Sequence, residues 1–294
     1  MKKKFTQRLL IGYYKTKFKT IGLISPHKAA TLAFDLFSTP FKSKSKKIAP
    51  PVFHKATSIS MEVRGITVRG FEWKHADPDA KKVLIAHGFS SYAYKFEAYV
   101  IALKKEGFTV LAFDAPAHGL SDGTKINALI YRDTILSAET HFGPLFGIIA
   151  HSLGGLAAAL AMEQLPNPEK RKLVLIAPAT ETRTAIDNFF KLIPADSKVI
   201  AAFEAHIIQL AKSPLTYFSV ARVVRQSLTD TLWIHDEEDN ICTFKDVKPL
   251  LKEQIASLEF FITKGLGHNR IYIEQRTKAR VVHFLSNRPS GDFL

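Results

Sequence analysis

The fold of this chain is decided by residues 145–162, which read LFGIIAHSLGGLAAALAM. Residues 145–150 are a short apolar run with β-branched members, a pattern typical of a strand that is buried within a sheet. Residues 156–162 are rich in Ala and Leu and favour a helix. The chain must therefore turn sharply between them, with Ser152 at the apex and small neighbours that let strand and helix pass closely.

The pentapeptide at this turn, Ala150-His151-Ser152-Leu153-Gly154, resembles the Gly-x-Ser-x-Gly nucleophile elbow of the α/β-hydrolase superfamily. Ala150 replaces the first Gly, and we expect the turn to survive because Ala has the next smallest side chain. An ordinary strand–helix junction with an incidental serine is the alternative. The resemblance implies an α/β-hydrolase fold: a mostly parallel central sheet, helices on both faces and a helical cap insertion.

The rest of the chain alternates apolar runs with helical spacing, which independently predicts a mostly parallel sheet covered by helices. Ligand chemistry in such folds lies at the carboxyl ends of the strands. The predicted strands are 58–61 and 65–73 in an antiparallel hairpin, then 82–86, 108–113, 145–150, 173–178, 231–235 and 258–262. The predicted domains are a basic N-terminal helical extension (1–57), the hydrolase core (58–179 and 230–294) and the cap (180–229).

A cluster of acidic residues follows the predicted strand 231–235. It resembles the superfamily's acid loop, His-Gly-x-x-Asp-x-x-Val, with Asp236 in place of Gly, and the resemblance implies Asp239 as the catalytic acid. Four acids within five residues leave alternatives open. Glu238 and Asp236 are the other candidates, and Glu237 and Glu238 also fit a solvated surface.

The loop after the last predicted strand, Gly265-Leu266-Gly267-His268, is similar to the loop that brings the catalytic histidine to the elbow. The resemblance implies His268 as the general base. The chain order Ser152, Asp239, His268 is the order of the α/β-hydrolases.

His87-Gly88-Phe89 resembles the turn after the third strand of the superfamily. By that resemblance the backbone N–H groups of Phe89 and Leu153 form an oxyanion hole, two fixed donors where negative charge develops on a carbonyl oxygen. We expect His87 to be structural. His118, in a segment similar to the one after the superfamily's fourth strand, is expected to shape the pocket wall and not to act as the base.

These assignments predict a serine hydrolase of carboxylic esters or thioesters, in which His268 takes a proton from Ser152, Asp239 orients the imidazole and water hydrolyses an acyl-enzyme. A carbon–carbon bond hydrolase or haloperoxidase-like enzyme of the same fold remains an alternative, as does a binding protein without activity. A dehalogenase or epoxide hydrolase is excluded because the elbow carries Ser and not Asp.

No cofactor and no metal are expected. Metal binding by paired carboxylates of the acid loop has no other support. The single cysteine, Cys242, excludes an intrachain disulfide and a Cys-rich zinc site, and we expect it to be a small buried side chain.

Residues 180–229 separate two core strands by about fifty residues, far more than a usual loop. The resemblance implies a cap at this position. Its aromatic side chains suggest an apolar acyl or alcohol group on a small-molecule ester substrate, although they could equally serve only to pack the cap.

The net charge of +14 is concentrated at the N-terminus, because residues 1–55 contain 13 Lys or Arg and one acid, Asp35. Residues 1–55 do not resemble a signal peptide, and no stretch reaches the length of a membrane span, so we expect a cytoplasmic protein. A location peripheral to a membrane is the alternative. We favour an N-terminal helix packed on the body over a basic helix on an anionic membrane. Nucleic-acid binding is not expected, because no nucleic-acid module is recognisable. Residues 42–47 are predicted to be a basic linker.

Overall fold

The computed structural model describes the backbone of residues 2–41 and 48–286 and the side chains from residue 8 onward. The predicted linker at 42–47 lies outside the described residues. The chain divides into two compact units. We call Met1–Thr39 with Glu181–Phe218 the helical unit, and Pro40–Thr180 with Ser219–Leu294 the sheet unit.

Among the described residues, the sheet unit contains one sheet of eight strands in the order β1-β2-β4-β3-β5-β6-β7-β8. The β1–β2 and β2–β4 pairs are antiparallel and all other pairs are parallel, so the prediction of a mostly parallel sheet is confirmed. The strands are β1 (Thr57–Val63), β2 (Ile66–Trp73), β3 (Lys82–Ala86), β4 (Thr109–Phe113), β5 (Leu145–His151), β6 (Lys172–Ile176), β7 (Asp230–Asp236) and β8 (Leu258–Thr263).

The central strands are parallel because each is apolar on both faces and is covered by helices. Their carboxyl ends meet at one edge, since His151 pairs with Ile176 and His235 pairs with Ile262. In the part of this unit that the structure describes, the α-helices are α3 (Glu97–Lys105), α4 (Ala128–Phe142), α5 (Leu153–Met162), α8 (Val220–Gln226), α9 (Gly267–Arg270) and α10 (Gln275–Ser286). α3 packs against α10, and α5 packs against α4 and α8.

The helical unit contains α1 (Lys2–Ile24), α2 (Pro26–Ser38), α6 (Thr182–Leu192) and α7 (Ser197–Ala211). α2 packs against both α1 and α7, so the N-terminal segment and the insertion between β6 and β7 share one core. Rings dominate that core: Phe203 contacts the rings of Phe34, Phe37, Phe189 and Phe190.

The unit boundaries differ from the ones drawn on the sequence. Residues 40–57 and 219–229 belong to the sheet unit, whereas residues 1–39 belong with the insertion. One face of α1 is partly buried: Phe18 is fully buried and Tyr14 packs against the helical core, but Leu10 is 41% exposed. None of the helices in the described chain has the length and apolar character needed to cross a membrane.

The helical core generates a stability prediction. Phe203→Ala should lower the free energy of unfolding by about 3–5 kcal/mol, because it deletes a fully buried ring and leaves a cavity. Urea unfolding measures the loss. Leu210→Ala on the same helix is the control, since Leu210 is 56% exposed, and it should change stability by no more than about 0.5 kcal/mol. Equal effects of the two substitutions would contradict the packing described.

Candidate active site

Ser152 lies at the turn between β5 and α5 with φ 55° and ψ −121°, a conformation that non-glycine residues rarely adopt. Such strain costs about 1–3 kcal/mol and persists only where the surroundings impose it. The Ser152 N–H donates to the Ile176 carbonyl at 3.2 Å, and the Ser152 carbonyl accepts from Gly155 and Ala179, both at 2.9 Å. Hydrogen bonds to β6, to α5 and to the loop after β6 thus fix the turn.

Two glycines allow backbones to approach this turn. A Cβ on Gly154 would lie 2.5 Å from the carbonyl oxygen of Ala86, so only Gly lets α5 start this close to β3. A Cβ on Gly88 would lie 2.9 Å from the Cβ of Ser152. The first position of the elbow pattern is less demanding, because Ala150 is accommodated fully buried in β5.

Three side chains that are distant in the sequence form a hydrogen-bonded chain. The Ser152 Oγ lies 3.0 Å from the His268 Nε2, and the His268 Nδ1 lies 2.8 Å from the Asp239 Oδ2. A carboxylate only accepts, so the Nδ1 of His268 donates and the Nε2 is left to accept the serine proton. The structure therefore brings together the three residues that the resemblance implied.

Asp239 is oriented by its other oxygen. Its Oδ1 accepts from the N–H groups of Ile241 at 2.8 Å and Cys242 at 2.9 Å. The buried imidazole of His235 lies 3.8 Å from the Oδ2 and donates to the Cys242 carbonyl at 2.7 Å. Burial lowers the pKa of His235, which keeps this neighbour neutral and leaves the Asp239 charge to His268.

The other acids of the loop have separate roles. Asp236 is fully buried and accepts from Glu238 N–H at 3.0 Å, the Thr263 hydroxyl at 2.7 Å and Leu266 N–H at 3.0 Å. Burial by itself would raise the pKa of Asp236, but these hydrogen bonds and one from a further backbone N–H hold that pKa below its usual value. Asp236 thus joins the end of β7 to the loop that carries His268, while Glu237 and Glu238 are exposed.

His151 is a site residue that the sequence analysis did not single out. Its Nε2 donates to the backbone carbonyl of His268 at 3.1 Å, and its ring packs on the rings of His268 and Tyr272. Burial first, and then the neighbouring His268, lower the pKa of His151 well below its usual value, so it is neutral. The only signal in the sequence was its place beside Ser152 in the turn.

Phe89 and Leu153 lie on the two segments that flank Ser152, and within the described residues neither backbone N–H donates to a protein acceptor. His87 and His118 brace the turn: the Nε2 of His87 accepts from Ala115 N–H at 3.0 Å, and the Nε2 of His118 accepts from Ser90 N–H at 2.9 Å. Both nitrogens are thereby occupied by backbone donors, as expected of structural histidines.

Cys242 is half-buried, and its thiol contacts Ser152, which the sequence analysis did not anticipate. Burial raises the pKa of this thiol, so it stays protonated. Across the described part of the chain, no three His, Cys, Asp or Glu side chains are grouped as around a metal ion.

The fold of this chain is similar to the folds of several solved structures. An esterase of Pyrococcus furiosus, Pf2001, superimposes with a TM-score of 0.62 over 84% of this chain and 98% of its own, at 19% identity. An Exiguobacterium antarcticum esterase superimposes with a TM-score of 0.57 over 77% of this chain and 98% of its own, at 15% identity. These superpositions show that the chain has the α/β-hydrolase fold. The predicted fold is therefore confirmed.

Parts of the sequence are also similar to a known family and to a curated protein. Residues 77–214 match the family described as serine aminopeptidase, S33. That match includes Ser152 but ends before Asp239 and His268. Phospholipase YtpA of Bacillus subtilis (strain 168) is 25% identical over 136 residues, which cover 44% of this chain and 52% of that protein. The aligned part of this chain thus spans about half the length of the curated relative that it matches.

The hydrogen bonds of Asp239 and Asp236 predict that the two acids differ in their effect on the reactivity of Ser152. Asp239→Asn should slow phosphonylation of Ser152 by a fluorophosphonate by about 10³–10⁴-fold, because the imidazole loses the carboxylate that orients it and stabilises its charge. Labelling rates are measured at a temperature where all variants are folded. Asp236→Asn is the matched control and should change the rate by less than about tenfold, with its cost of about 1–3 kcal/mol appearing in stability. A slower rate for Asp236→Asn than for Asp239→Asn would reverse the assignment.

Proposed function

We propose that this protein is a serine hydrolase of carboxylic esters or thioesters that forms an acyl-enzyme on Ser152. The observation that carries the proposal is the hydrogen-bonded chain from the Ser152 Oγ through His268 to Asp239 at the carboxyl edge of the sheet. A serine is a weak nucleophile by itself and needs an adjacent base, and an oriented imidazole supplies it.

In the proposed reaction the Ser152 Oγ attacks the substrate carbonyl while the Nε2 of His268 takes the hydroxyl proton. The oxyanion of the tetrahedral intermediate accepts hydrogen bonds from the N–H groups of Phe89 and Leu153, which are otherwise free among the described residues. The protonated imidazole is stabilised by Asp239 and passes its proton to the leaving alcohol or thiol. Water, activated by the same imidazole, then cleaves the acyl-enzyme and restores Ser152.

Backbone geometry supports this arrangement beyond the three side chains. The strain at Ser152 is stored where a nucleophile must be presented, as is common at functional sites. His151 adds a second support, because its donated hydrogen bond fixes the backbone of His268. Since burial keeps His151 neutral, it does not compete electrostatically with the imidazolium that forms during the reaction.

The names of similar proteins support the substrate class. The solved structures include esterases and a thioesterase domain from a curacin biosynthetic pathway, and the curated relative is named a phospholipase. A small-molecule ester or thioester is therefore the proposed substrate. Residues 181–218 of the helical unit are inserted between β6 and β7, where the resemblance implied a cap.

The proposal predicts that Ser152→Ala abolishes hydrolysis of a short p-nitrophenyl ester while the melting temperature is retained. The rate remaining should be no more than about 10³-fold above the uncatalysed rate, the contribution expected of oxyanion donors alone. Ser137→Ala, a serine on α4, is the matched control and should hydrolyse the ester at the wild-type rate.

Two results would contradict this function. Activity of Ser152→Ala above that residual would remove Ser152 from its role as nucleophile. A wild-type protein that hydrolyses no member of a panel of esters and thioesters, and that resists a fluorophosphonate, would favour a binding protein or one of the other chemistries of the fold.

A further inference from the structure

Helix α1 has two apolar stripes on opposite sides. The inner stripe contains Ile11, Tyr14 and Phe18, which belong to the core of the helical unit. Leu9 is nine residues, or two and a half turns, before Phe18 and therefore lies on the other side of the helix. The outer stripe continues through Tyr13 and the end of the helix.

The apolar members of the outer stripe are largely in water. Leu9 is 59% exposed, Tyr13 57%, Leu23 81% and Ile24 88%. Their spacing of four and then ten residues, with Thr16 and Thr20 between them, follows one face of an α-helix. Packing within the helical unit explains why the inner stripe is apolar, but it does not explain why the exposed outer stripe is apolar.

Positive charge flanks the outer stripe on both sides. α1 contains seven Lys or Arg residues and no acid. At 100° per residue, Arg8, Lys15 and Lys19 project to one flank of the stripe and Lys17 to the other. Among the described residues, no carboxylate forms an ion pair with any of these four, and the Lys17 ammonium lies over the Tyr13 ring at 5.3 Å.

We propose that the outer stripe of α1, residues Leu9, Tyr13, Leu23 and Ile24, binds the surface of an anionic phospholipid bilayer. Aliphatic side chains would enter the boundary between headgroups and acyl chains, while the flanking Lys and Arg side chains reach back to the lipid phosphates. A soluble acidic peptide would neutralise the lysines but would not require two residues that are more than 80% exposed and aliphatic. This surface is independent of the proposed hydrolysis, so it stands even if Ser152 is not a nucleophile.

The test is co-sedimentation of the full chain with vesicles of phosphatidylglycerol and phosphatidylcholine, and with phosphatidylcholine alone, at low and high salt. Each protein carries Ser152→Ala, so that lipid hydrolysis cannot alter the vesicles. A charge variant, R8Q/K15Q/K19Q, should bind the anionic vesicles about 100-fold more weakly at low salt, because each basic residue near the surface contributes roughly a factor of five. A stripe variant, L9S/Y13S/L23S, should lose the binding that persists at high salt.

The control variant, I101S/L228S/L251S, removes three exposed apolar side chains of the sheet unit. It should bind anionic vesicles as tightly as the protein with no substitution besides Ser152→Ala. Equal melting temperatures show that all variants are folded. The proposal is overturned if the full chain does not sediment with anionic vesicles at low salt, or if the control variant loses as much affinity as the stripe variant. It is also overturned if light scattering shows a dimer that only the stripe variant dissociates, because the stripe would then bind a second copy of the chain.

Discussion

The positive φ of Ser152 is the constraint on which the rest of the site depends. A chain that leaves β5 and enters α5 with no intervening residue except Ser152 must bend at that residue. The bend is possible because Gly154 lets α5 start against the carbonyl of Ala86, and hydrogen bonds from Gly155 and Ala179 to the Ser152 carbonyl offset its cost. The local strain of about 1–3 kcal/mol is thereby offset by contacts from β3, α5 and the loop after β6.

The second requirement is that one imidazole reaches that serine from a distant part of the chain. Three buried side chains hold the His268 imidazole in place, each through a different hydrogen bond. Asp236 joins β7 to the loop before His268, Asp239 accepts from the imidazole itself, and His151 donates to the His268 carbonyl. Because Asp236 has a lowered pKa and His151 is neutral, each keeps a fixed hydrogen-bonding role near neutral pH.

The sequence was sufficient for the fold and for the residues whose neighbours in the chain define them. Ser152 lies between an apolar run and an Ala-rich helix, and His268 lies in a glycine-rich loop after the last strand, so both could be located by pattern. The acid could not be chosen from composition, because Asp236, Glu238 and Asp239 occupy adjacent positions and differ only in which partners their carboxylates reach. His151 was missed for the same reason, since its partner is a backbone carbonyl 117 residues away.

The helical unit shows a different limit. Both the N-terminal segment and the insertion carry amphipathic stripes, and such stripes predict that each is buried but not against what. α2 packs against α7, although strands β1 to β6 lie between them in the sequence. No pattern within either segment specifies this pairing. The domain boundary drawn at residue 57 therefore followed composition, whereas the compact units follow the packing of Phe18 and Phe203 with rings from both segments.

The central claim, that Ser152 receives the acyl group, is tested most directly by trapping that intermediate. The protein is mixed with a p-nitrophenyl ester, quenched in acid during the first turnover and digested, and the acylated peptide is identified by mass spectrometry. The expected result is an acyl group on Ser152. An acyl group on Cys242, whose thiol contacts Ser152, or rapid turnover with no acylated peptide would contradict it.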